Sequence, residues 1–342
     1  MIDDTNFSNS ELAGERKRSV ERPRPAFLIT IDTEGDNIWA RSAVSSTENA
    51  LFLPRFQTLC DSYGFKPTYL LNYEMALDDR FVRFAKAAIA SGRAEVGTHL
   101  HAWNSPPLKP LTVDDNRFHP YLTEFPPDVM AEKLVFMTHL LEDRFERKMT
   151  SHRGGRWAFD ETYAQILIDN GYLIDCSVTP HISWSRKGID AAGIKGPNFE
   201  GFPEQPYWID PADIRIPGSS ALLEAPMTIR RAVRPLTRML APIPLIGGYL
   251  YRHWPEFRWL RPNGTNTADM IRLCDQVAAA GEPYAMFMLH SSEFMPGGSP
   301  AFRSTESIER LFSSLASFFA HVQGKFEPMT LTQFRDSFSA QG

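Results

Sequence analysis

Two histidines separated by a single residue, His99 and His101, follow a short apolar stretch of the chain. A strand places side chains two positions apart on the same face, so we expect the two imidazoles to leave the strand side by side. Neutral imidazole nitrogens and a carboxylate oxygen are common ligands of zinc in catalytic sites, which keep one position for water. The spacing therefore predicts half of a metal site, although histidine pairs of this kind also occur without metal.

The missing acidic ligand has two candidates at the end of another apolar stretch, Asp32 and Glu34. They follow the run AFLITI, and the same two-residue period puts both carboxylates on one face. Gly35 lets the backbone turn away directly after them. Either carboxylate fits the ligand position, and the spacing does not choose between them.

Ionisable side chains also follow other apolar stretches of strand length. They are Arg153 and Arg156, which flank two glycines, Asp175, and His290. The carboxyl ends of parallel strands meet at one edge of a sheet, where the active sites of βα barrels lie. We therefore expect these groups to form one pocket with the carboxylate and histidine pairs.

The segments between these groups alternate between strand-like and helix-like patterns. Predicted strands lie at residues 26–32, 67–74, 173–178, 221–228, 284–293 and 328–331, and two more end near His99 and Arg153. Predicted helices lie at residues 48–63, 80–90, 128–145, 160–170, 267–280 and 304–321. This alternation predicts an α/β fold, a parallel sheet or barrel of about seven or eight βα units.

Residues 181–265 interrupt the alternation, and we interpret them as one long insertion in a single domain at residues 25–342. Residues 1–24 are polar and aperiodic, which predicts a flexible arm. Within the insertion, residues 230–261 contain seven arginines and one acid, Glu256, among apolar side chains. This composition favours a peripheral contact with a membrane or a pyrophosphate-linked glycan, with a simple lid over the site as the alternative.

The overall composition excludes several classes of protein. The chain of 342 residues is 43% hydrophobic and 23% charged, as expected of a globular protein, and its net charge of -5 argues against nucleic acid as the main partner. Its three cysteines are far apart and odd in number, which favours reduced thiols over a disulfide framework. The first 25 residues lack the apolar core of a secretory signal. These features predict a cytoplasmic protein.

Four motifs in this order resemble those of the polysaccharide deacetylases of the NodB homology type, carbohydrate esterase family 4. The motifs are TIDTEGD, EVGTHLHAW, SHRGGRW and LHSSE, and the resemblance covers most of residues 26–335. It is closest to the subset with DTEG, HLHxW and LHSSE patterns. The resemblance implies an irregular (β/α)7-8 barrel. It also implies a hydrolase that removes N-acetyl groups from a sugar of a surface polysaccharide or of its lipid- or nucleotide-linked precursor.

The resemblance also implies a role for each motif residue. Asp32 would be the general base and His290 the general acid, with Arg153 keeping Asp32 ionised. A divalent metal, with zinc favoured, would be held by Glu34, His99 and His101. Backbone N–H groups around Gly154 and Gly155 are candidates for stabilising the oxyanion. The expected substrate contacts are Trp103, Arg156, Trp157 and Glu293.

One departure from the family pattern keeps alternatives open. The usual second motif has two histidines four positions apart, whereas the fourth position after His99 is Trp103, so His101 must replace the missing ligand. Some relatives with tryptophan there are metal-independent amide hydrolases. A glycan-binding protein without catalysis is the third possibility.

Overall fold

One curled sheet forms the centre of the molecule. The structure, a computed structural model, describes residues 23–36, 45–185, 196–232 and 257–340. Residues 1–22 of the predicted N-terminal arm and most of the arginine-rich segment therefore lie outside the described residues.

The main sheet consists of nine strands. Its strands are β1 (Ala26–Thr33), β2 (Pro67–Leu71), β3 (Glu95–Leu100), β4 (Ser151–Gly154), β5 (Ile174–Asp175), β6 (Tyr207–Trp208), β7 (Leu223–Glu224), β10 (Tyr284–His290) and β11 (Glu327–Met329). The order is β10-β1-β2-β3-β4-β5-β7-β6, and β11 pairs with the start of β1. All pairs are parallel except β6 with β7. A separate two-stranded antiparallel sheet consists of β8 (Ile229–Arg231) and β9 (Phe257–Trp259).

Strand β1 is apolar along nearly its whole length because both of its faces are covered. All eight of its residues are buried. On the outer face, the Phe27 ring lies 5.0 Å from that of Phe65 and 5.9 Å from that of Phe318. On the inner face, Thr30 and Asp32 point into the curl, where both meet Arg153. The core is thus apolar on the outer face of the curled sheet and partly polar on its inner face.

The curl of the sheet brings distant strands together. Arg153 belongs to β4, three strands away from β1, yet its Nη1 lies 2.6 Å from Asp32 Oδ1. Single hydrogen bonds bridge the open side, where the Met286 N–H donates to Thr228 Oγ1 and the Met288 N–H donates to the Leu260 carbonyl. The result is a half-barrel whose interior is narrow enough for one arginine to cross.

Helices cover the outside of the sheet. They are α1 (Leu53–Ser62), α2 (Tyr73–Leu77), α3 (Asp79–Ala90), α4 (Asp115–Phe118), α5 (Pro127–Phe145), α6 (Glu161–Asp169), α7 (Thr267–Ala280), α8 (Thr305–Val322) and α9 (Leu331–Ser339). The predicted helices at 80–90, 128–145, 160–170, 267–280 and 304–321 are confirmed within two residues at each end. No helix of the described residues is long and apolar enough to cross a membrane.

Several predicted boundaries were wrong. The helix expected at 48–63 is a 3-10 turn at Glu48–Leu51 followed by α1, because Pro54 lacks an N–H and fits only the first turn of a helix. The strand expected at 284–293 ends at His290, where a 3-10 turn begins. Helix α9 and the pairing of β8 with β9 were not predicted.

Part of the segment 181–265 belongs to the main sheet. The strand expected at 221–228 is reduced to Leu223–Glu224, which pairs with β5, and Tyr207–Trp208 forms the edge of the same sheet. The strand expected at 173–178 is likewise only Ile174–Asp175. The chain leaves the ladder early here because side chains bond the neighbouring backbone, as Glu224 does with the Val178 N–H. The segment therefore completes the fold as well as interrupting it.

Candidate active site

The strand register places four of the predicted site residues at one level. Asp32 on β1 is aligned with His290 on β10, and His99 on β3 is aligned with Arg153 on β4. All four lie at the carboxyl ends of parallel strands, and all face the inside of the curl. The structure therefore brings together groups that are up to about 260 residues apart in the chain.

Glu34, His99 and His101 form a compact cluster of possible metal ligands. Their ligand atoms lie within 4.8 Å of one another, and all three side chains are buried. Glu34 Oε2 is 3.4 Å from His99 Nε2 and 3.0 Å from His101 Nε2. Among the residues that the structure describes, no other three histidine, cysteine or carboxylate ligands converge in this way.

The hydrogen bonds of this cluster suit a divalent cation. His99 Nδ1 lies 3.0 Å from the carbonyl of Arg153 and donates its proton there, so in the neutral ring it is Nε2 that carries the lone pair for a metal. That Nε2 is only 3.0 Å from His101 Nε2. With a metal bound, both Nε2 atoms would present lone pairs beside the Glu34 carboxylate oxygen, and the cation between them would offset their mutual repulsion. Two nitrogens and one oxygen also match the ligand set of catalytic zinc sites.

Glu34 is held ionised and in place. Burial by itself raises the pKa of Glu34, but the hydrogen bonds from His101 and His99 outweigh it, and the pKa lies below its usual range. Its backbone is fixed by two buried residues that the sequence analysis missed. The Glu34 N–H donates to Ser291 Oγ at 3.0 Å, and Asn49 Nδ2 donates to the Glu34 carbonyl at 2.7 Å. In the sequence, the position of Ser291 directly after His290 could have pointed to its role, whereas no sequence feature pointed to Asn49.

Asp32 makes a buried ion pair with Arg153. Its Oδ1 accepts a hydrogen bond from Arg153 Nη1 at 2.6 Å, and its Oδ2 faces His99 and His290 at 4.0 and 3.9 Å. Burial acts to raise the pKa of Asp32, but the charges of Arg153, His99 and His290 outweigh it and hold the pKa below its usual value. One oxygen is therefore anchored, while the other is directed at the centre of the site.

Arg153 is completely buried, and its guanidinium is well satisfied. Its Nε donates to the Cys176 carbonyl at 3.1 Å and its Nη2 to Thr30 Oγ1 at 2.9 Å. The ring of Trp157 covers it, with its centroid 5.1 Å from Cζ. Such a network fixes the guanidinium opposite Asp32.

His290 lies on the opposite wall with its two nitrogens in different surroundings. Nε2 faces Glu34 Oε1 at 3.7 Å as well as Asp32. Nδ1 lies 3.1 Å from Glu293 Oε2 and 3.1 Å from Arg261 Nη2. The Glu293 carboxylate also accepts the backbone N–H of His290 at 2.8 Å. Glu293 is thus buried and bonded to His290, and its expected contact with substrate stays a prediction.

The predicted aromatic and arginine contacts surround this centre. Trp103 packs its ring edge-on against His101, with centroids 4.4 Å apart. Trp157 is nearly buried and stacks on Trp184, a residue not predicted, with the ring centroids 6.3 Å apart. Arg156 lies over Tyr121, 5.6 Å from its centroid. The expected contacts of Trp103, Arg156 and Trp157 with a substrate stay predictions.

The two glycines of SHRGGRW serve packing. The Gly154 N–H donates to Ser177 Oγ at 2.8 Å. Contrary to the expectation, this N–H is therefore not available to stabilise an oxyanion. A Cβ on Gly155 would lie 2.4 Å from the Leu100 carbonyl and 2.6 Å from a ring carbon of His101. Glycine is therefore needed where this turn passes the second histidine.

Asp175 does not join the pocket. It lies on the outer side of the sheet, where its Oδ2 is 2.7 Å from His152 Nδ1 and accepts from Ser177 Oγ at 3.0 Å. His152 in turn contacts the Tyr163 hydroxyl at 2.9 Å. The expectation was wrong because β5 presents Asp175 on the face opposite to the one that carries Arg153 in β4.

Three described arginines of residues 230–261 lie beside acids, and a fourth, Arg231, lies over the Phe257 ring. Arg230 pairs with Glu282 and Glu204, and Arg258 Nε lies 3.2 Å from Asp269 Oδ1. Arg261 lies beside Glu293. Residues 233–256 are outside the described chain, so the predicted contact with a membrane or pyrophosphate stays a prediction.

Known proteins share this fold. No family model matches the chain, and no curated protein matches its sequence. A solved structure from Mycobacterium smegmatis, assigned as a polysaccharide deacetylase, is 13% identical with a TM-score of 0.52 over 94% of this chain and 93% of its own. Another, from Parabacteroides distasonis and assigned as a glycoside hydrolase/deacetylase, is 8% identical with a TM-score of 0.59 over 94% of this chain and 73% of its own.

The protein therefore has the fold of the NodB-like deacetylases, a curled half-barrel of mostly parallel strands. This confirms the fold class that the motifs implied. At such low identity the likeness extends to the fold, and the chemistry depends on the side chains of this chain.

Proposed function

We propose that the protein is a metal-dependent amide hydrolase that removes the N-acetyl group from an amino sugar. The observation that carries the proposal is the convergence of Asp32, Arg153 and His290 on the cluster of Glu34, His99 and His101. The set supplies a base, an acid and three ligands within one small volume. The fold shared with proteins assigned as deacetylases supports the same reaction.

Glu34, His99 and His101 would hold the divalent ion, and Asp32 would remain outside its shell. Asp32 Oδ1 is already occupied by Arg153, whereas Glu34 directs Oε2 at both histidine Nε2 atoms. A bound ion would polarise the acyl carbonyl and lower the pKa of a water molecule towards neutrality. The two nitrogens and one oxygen favour zinc.

Asp32 accepts the proton of the attacking water at Oδ2. Arg153 fixes the other oxygen and keeps the carboxylate ionised, so Oδ2 is the free acceptor directed at the centre. Proton transfer to a positioned base contributes roughly 10²- to 10⁴-fold to a rate.

His290 delivers a proton from Nε2 to the departing amine. Its Nε2 faces the same centre from the other wall, and Glu293 and Arg261 hold the Nδ1 side of the ring. A water attacking between Asp32 and His290 is therefore flanked by a base and an acid.

The proposed substrate is a sugar of a surface polysaccharide or of its lipid- or nucleotide-linked precursor. The tryptophans around the centre, Trp103 and Trp157, offer apolar ring surface of the kind that sugars pack against. The enzyme would meet such a precursor in the cytoplasm, the location that the composition favours.

Contact of residues 230–261 with a membrane is tested by liposome sedimentation. Salt-insensitive activity without liposome binding would exclude this contact.

The reaction is tested by acetate release from N-acetylated oligosaccharides and nucleotide-linked N-acetyl sugars. We expect release by the wild type and a loss of at least about 10²-fold in Asp32→Asn, since the base is removed while the shape is kept. Asp143→Asn, on the exposed face of α5, is the matched control and should retain full activity. Full activity of Asp32→Asn would refute its assignment as the base.

Metal dependence is tested separately. We expect one divalent ion per chain in the wild type, loss of that ion in His99→Ala, and retention in His139→Ala, whose histidine is exposed. Activity that survives chelation would indicate the metal-independent amide hydrolase instead. Tight binding of glycans without acetate release would indicate a glycan-binding protein.

A further inference from the structure

The two histidines of the cluster differ in what holds their second nitrogen. His99 Nδ1 donates to the Arg153 carbonyl at 3.0 Å. His101 Nδ1 is buried and has no hydrogen-bond partner among the described residues. A neutral histidine that coordinates through Nε2 carries its proton on Nδ1, and a buried N–H without an acceptor is costly. The cluster therefore lacks one acceptor beside His101.

Glu74, just after the neighbouring strand β2, has a carboxylate oxygen that could accept such a proton. It lies in the first turn of α2, directly after β2, as His101 lies directly after β3. Its Oε1 accepts hydrogen bonds from Ser45 Oγ and Asn104 Nδ2, both at 2.5 Å. Its Oε2 is buried and, within the described chain, has no donor. Asn104, three residues after His101, links the carboxylate to the histidine loop.

We propose that Glu74 is the positioning residue of His101, its Oε2 accepting the Nδ1 proton directly or through one ordered water molecule when the metal is bound. This inference rests on the proposed function. Metal-bound histidines usually donate their other N–H to a carboxylate, carbonyl or water, which fixes the ring and its tautomer. The Arg153 carbonyl serves His99 in this way, and Glu74 serves His101.

The surroundings of His101 agree with this role. Burial lowers the pKa of His101, whereas the charges of Glu34 and Glu74 act in the opposite direction, so the field of Glu74 reaches the ring. Trp103 and Gly155 hold the ring by packing alone. Glu74 Oε2 is sheltered from solvent, so it is not placed to contact a substrate.

The test measures zinc affinity of the purified full chain by competition with a chelator of known affinity. We expect Glu74→Leu to weaken zinc binding by about 10- to 100-fold, and Glu74→Gln, which keeps an acceptor oxygen, to weaken it less. Glu161 is the matched control because it is a first-turn glutamate of α6 and is exposed. Glu161→Leu and Glu161→Gln should bind zinc as the wild type does.

The outcomes separate this inference from the proposed function. If the wild type binds one zinc ion, His99→Ala loses it, and folded Glu74→Leu binds within about twofold of the wild type, the role of Glu74 is refuted while the metal site stands. If the wild type binds no ion, both are refuted.

A second measurement covers the case in which Glu74→Leu does not fold. In zinc-loaded protein labelled with ¹⁵N-histidine, we expect an exchange-protected Nδ1–H signal of His101 that shifts in Glu74→Gln and is unchanged in Glu161→Gln. A His101 signal that is the same in all three proteins would overturn the proposal.

Discussion

The pairing of Arg153 with Asp32 is the residue-scale feature on which the site depends. Both side chains are buried, and the pair also carries the link between β4 and β1 across the interior. Removing one member of a buried pair leaves an uncompensated charge in a poorly solvated place, which costs about 3–5 kcal/mol. The same change frees Asp32 Oδ1.

We therefore expect Arg153→Met to be strongly destabilised and inactive. Measured by urea unfolding of metal-free protein, its free energy of unfolding should fall by about 3–5 kcal/mol. Arg153→Met combined with Asp32→Asn should be less destabilised than the sum of the single variants, because the second change removes the orphaned charge. Strict additivity, within about 0.5 kcal/mol, would show that the two charges do not interact.

At the scale of elements, the turn after β4 sets the position of the second histidine. The 3-10 turn Gly155–Trp157 passes so close to Leu100 and His101 that a Cβ on Gly155 has no room. The ring or the backbone must then move by a substantial fraction of an ångström.

Gly155→Ala should weaken zinc binding by at least about tenfold because it displaces His101, and should lower the free energy of unfolding by about 1–3 kcal/mol. The control is Gly171→Ala, whose added Cβ contacts nothing but whose φ of +78° is unfavourable for alanine. It should cost about 1 kcal/mol or more in stability without changing zinc affinity. Equal zinc affinity in both variants would contradict the steric argument.

A buried lysine ties the long loop after β3 to helix α5. Lys133 Nζ donates to the carbonyls of Ser105 and Pro107, both at 2.7 Å. Burial lowers its pKa from 10.5 to about 8. The folded protein therefore releases this proton at a lower pH than the unfolded chain does.

The stability contributed by Lys133 should rise with pH. Below about pH 8 the Lys133 amine is protonated in both the folded and the unfolded state, and burial of its charge destabilises the folded state. Between about pH 8 and 10.5 only the unfolded chain keeps the proton, so this destabilisation is lost. Urea unfolding of metal-free wild type and Lys133→Met, at about pH 7 and about pH 10, should show the difference shifting in favour of the wild type by up to about 3 kcal/mol. A constant difference would mean that the amine is not desolvated.

At the scale of the whole molecule, the three cysteines report on global unfolding. All three, Cys60, Cys176 and Cys274, are free and buried, and burial raises the pKa of each thiol. We expect a thiol reagent to label the native protein no faster than it unfolds, and to label three thiols per chain once it is denatured. Rapid labelling of native protein, or fewer than three thiols without reductant, would contradict this burial and the predicted reduced state.

The sequence alone determined the fold class and most of the helices. Apolar runs of strand length mark the strands buried on both faces, and a three- to four-residue repeat marks helices such as α5. The two-residue period correctly put His99 beside His101 and Asp32 on the face of Glu34. These features are local, so propensity and periodicity suffice to read them.

Only the tertiary structure decided which groups meet. The curl of the sheet brings Arg153 from β4 to Asp32 on β1, and the register sets His290 beside Asp32. It also turns Asp175 away from the pocket, bonds Glu293 to His290, and places Glu74 next to the loop of His101. Contacts between strands distant in sequence depend on sheet order and facing, because a chain's own periodicity carries no information about its partner strand.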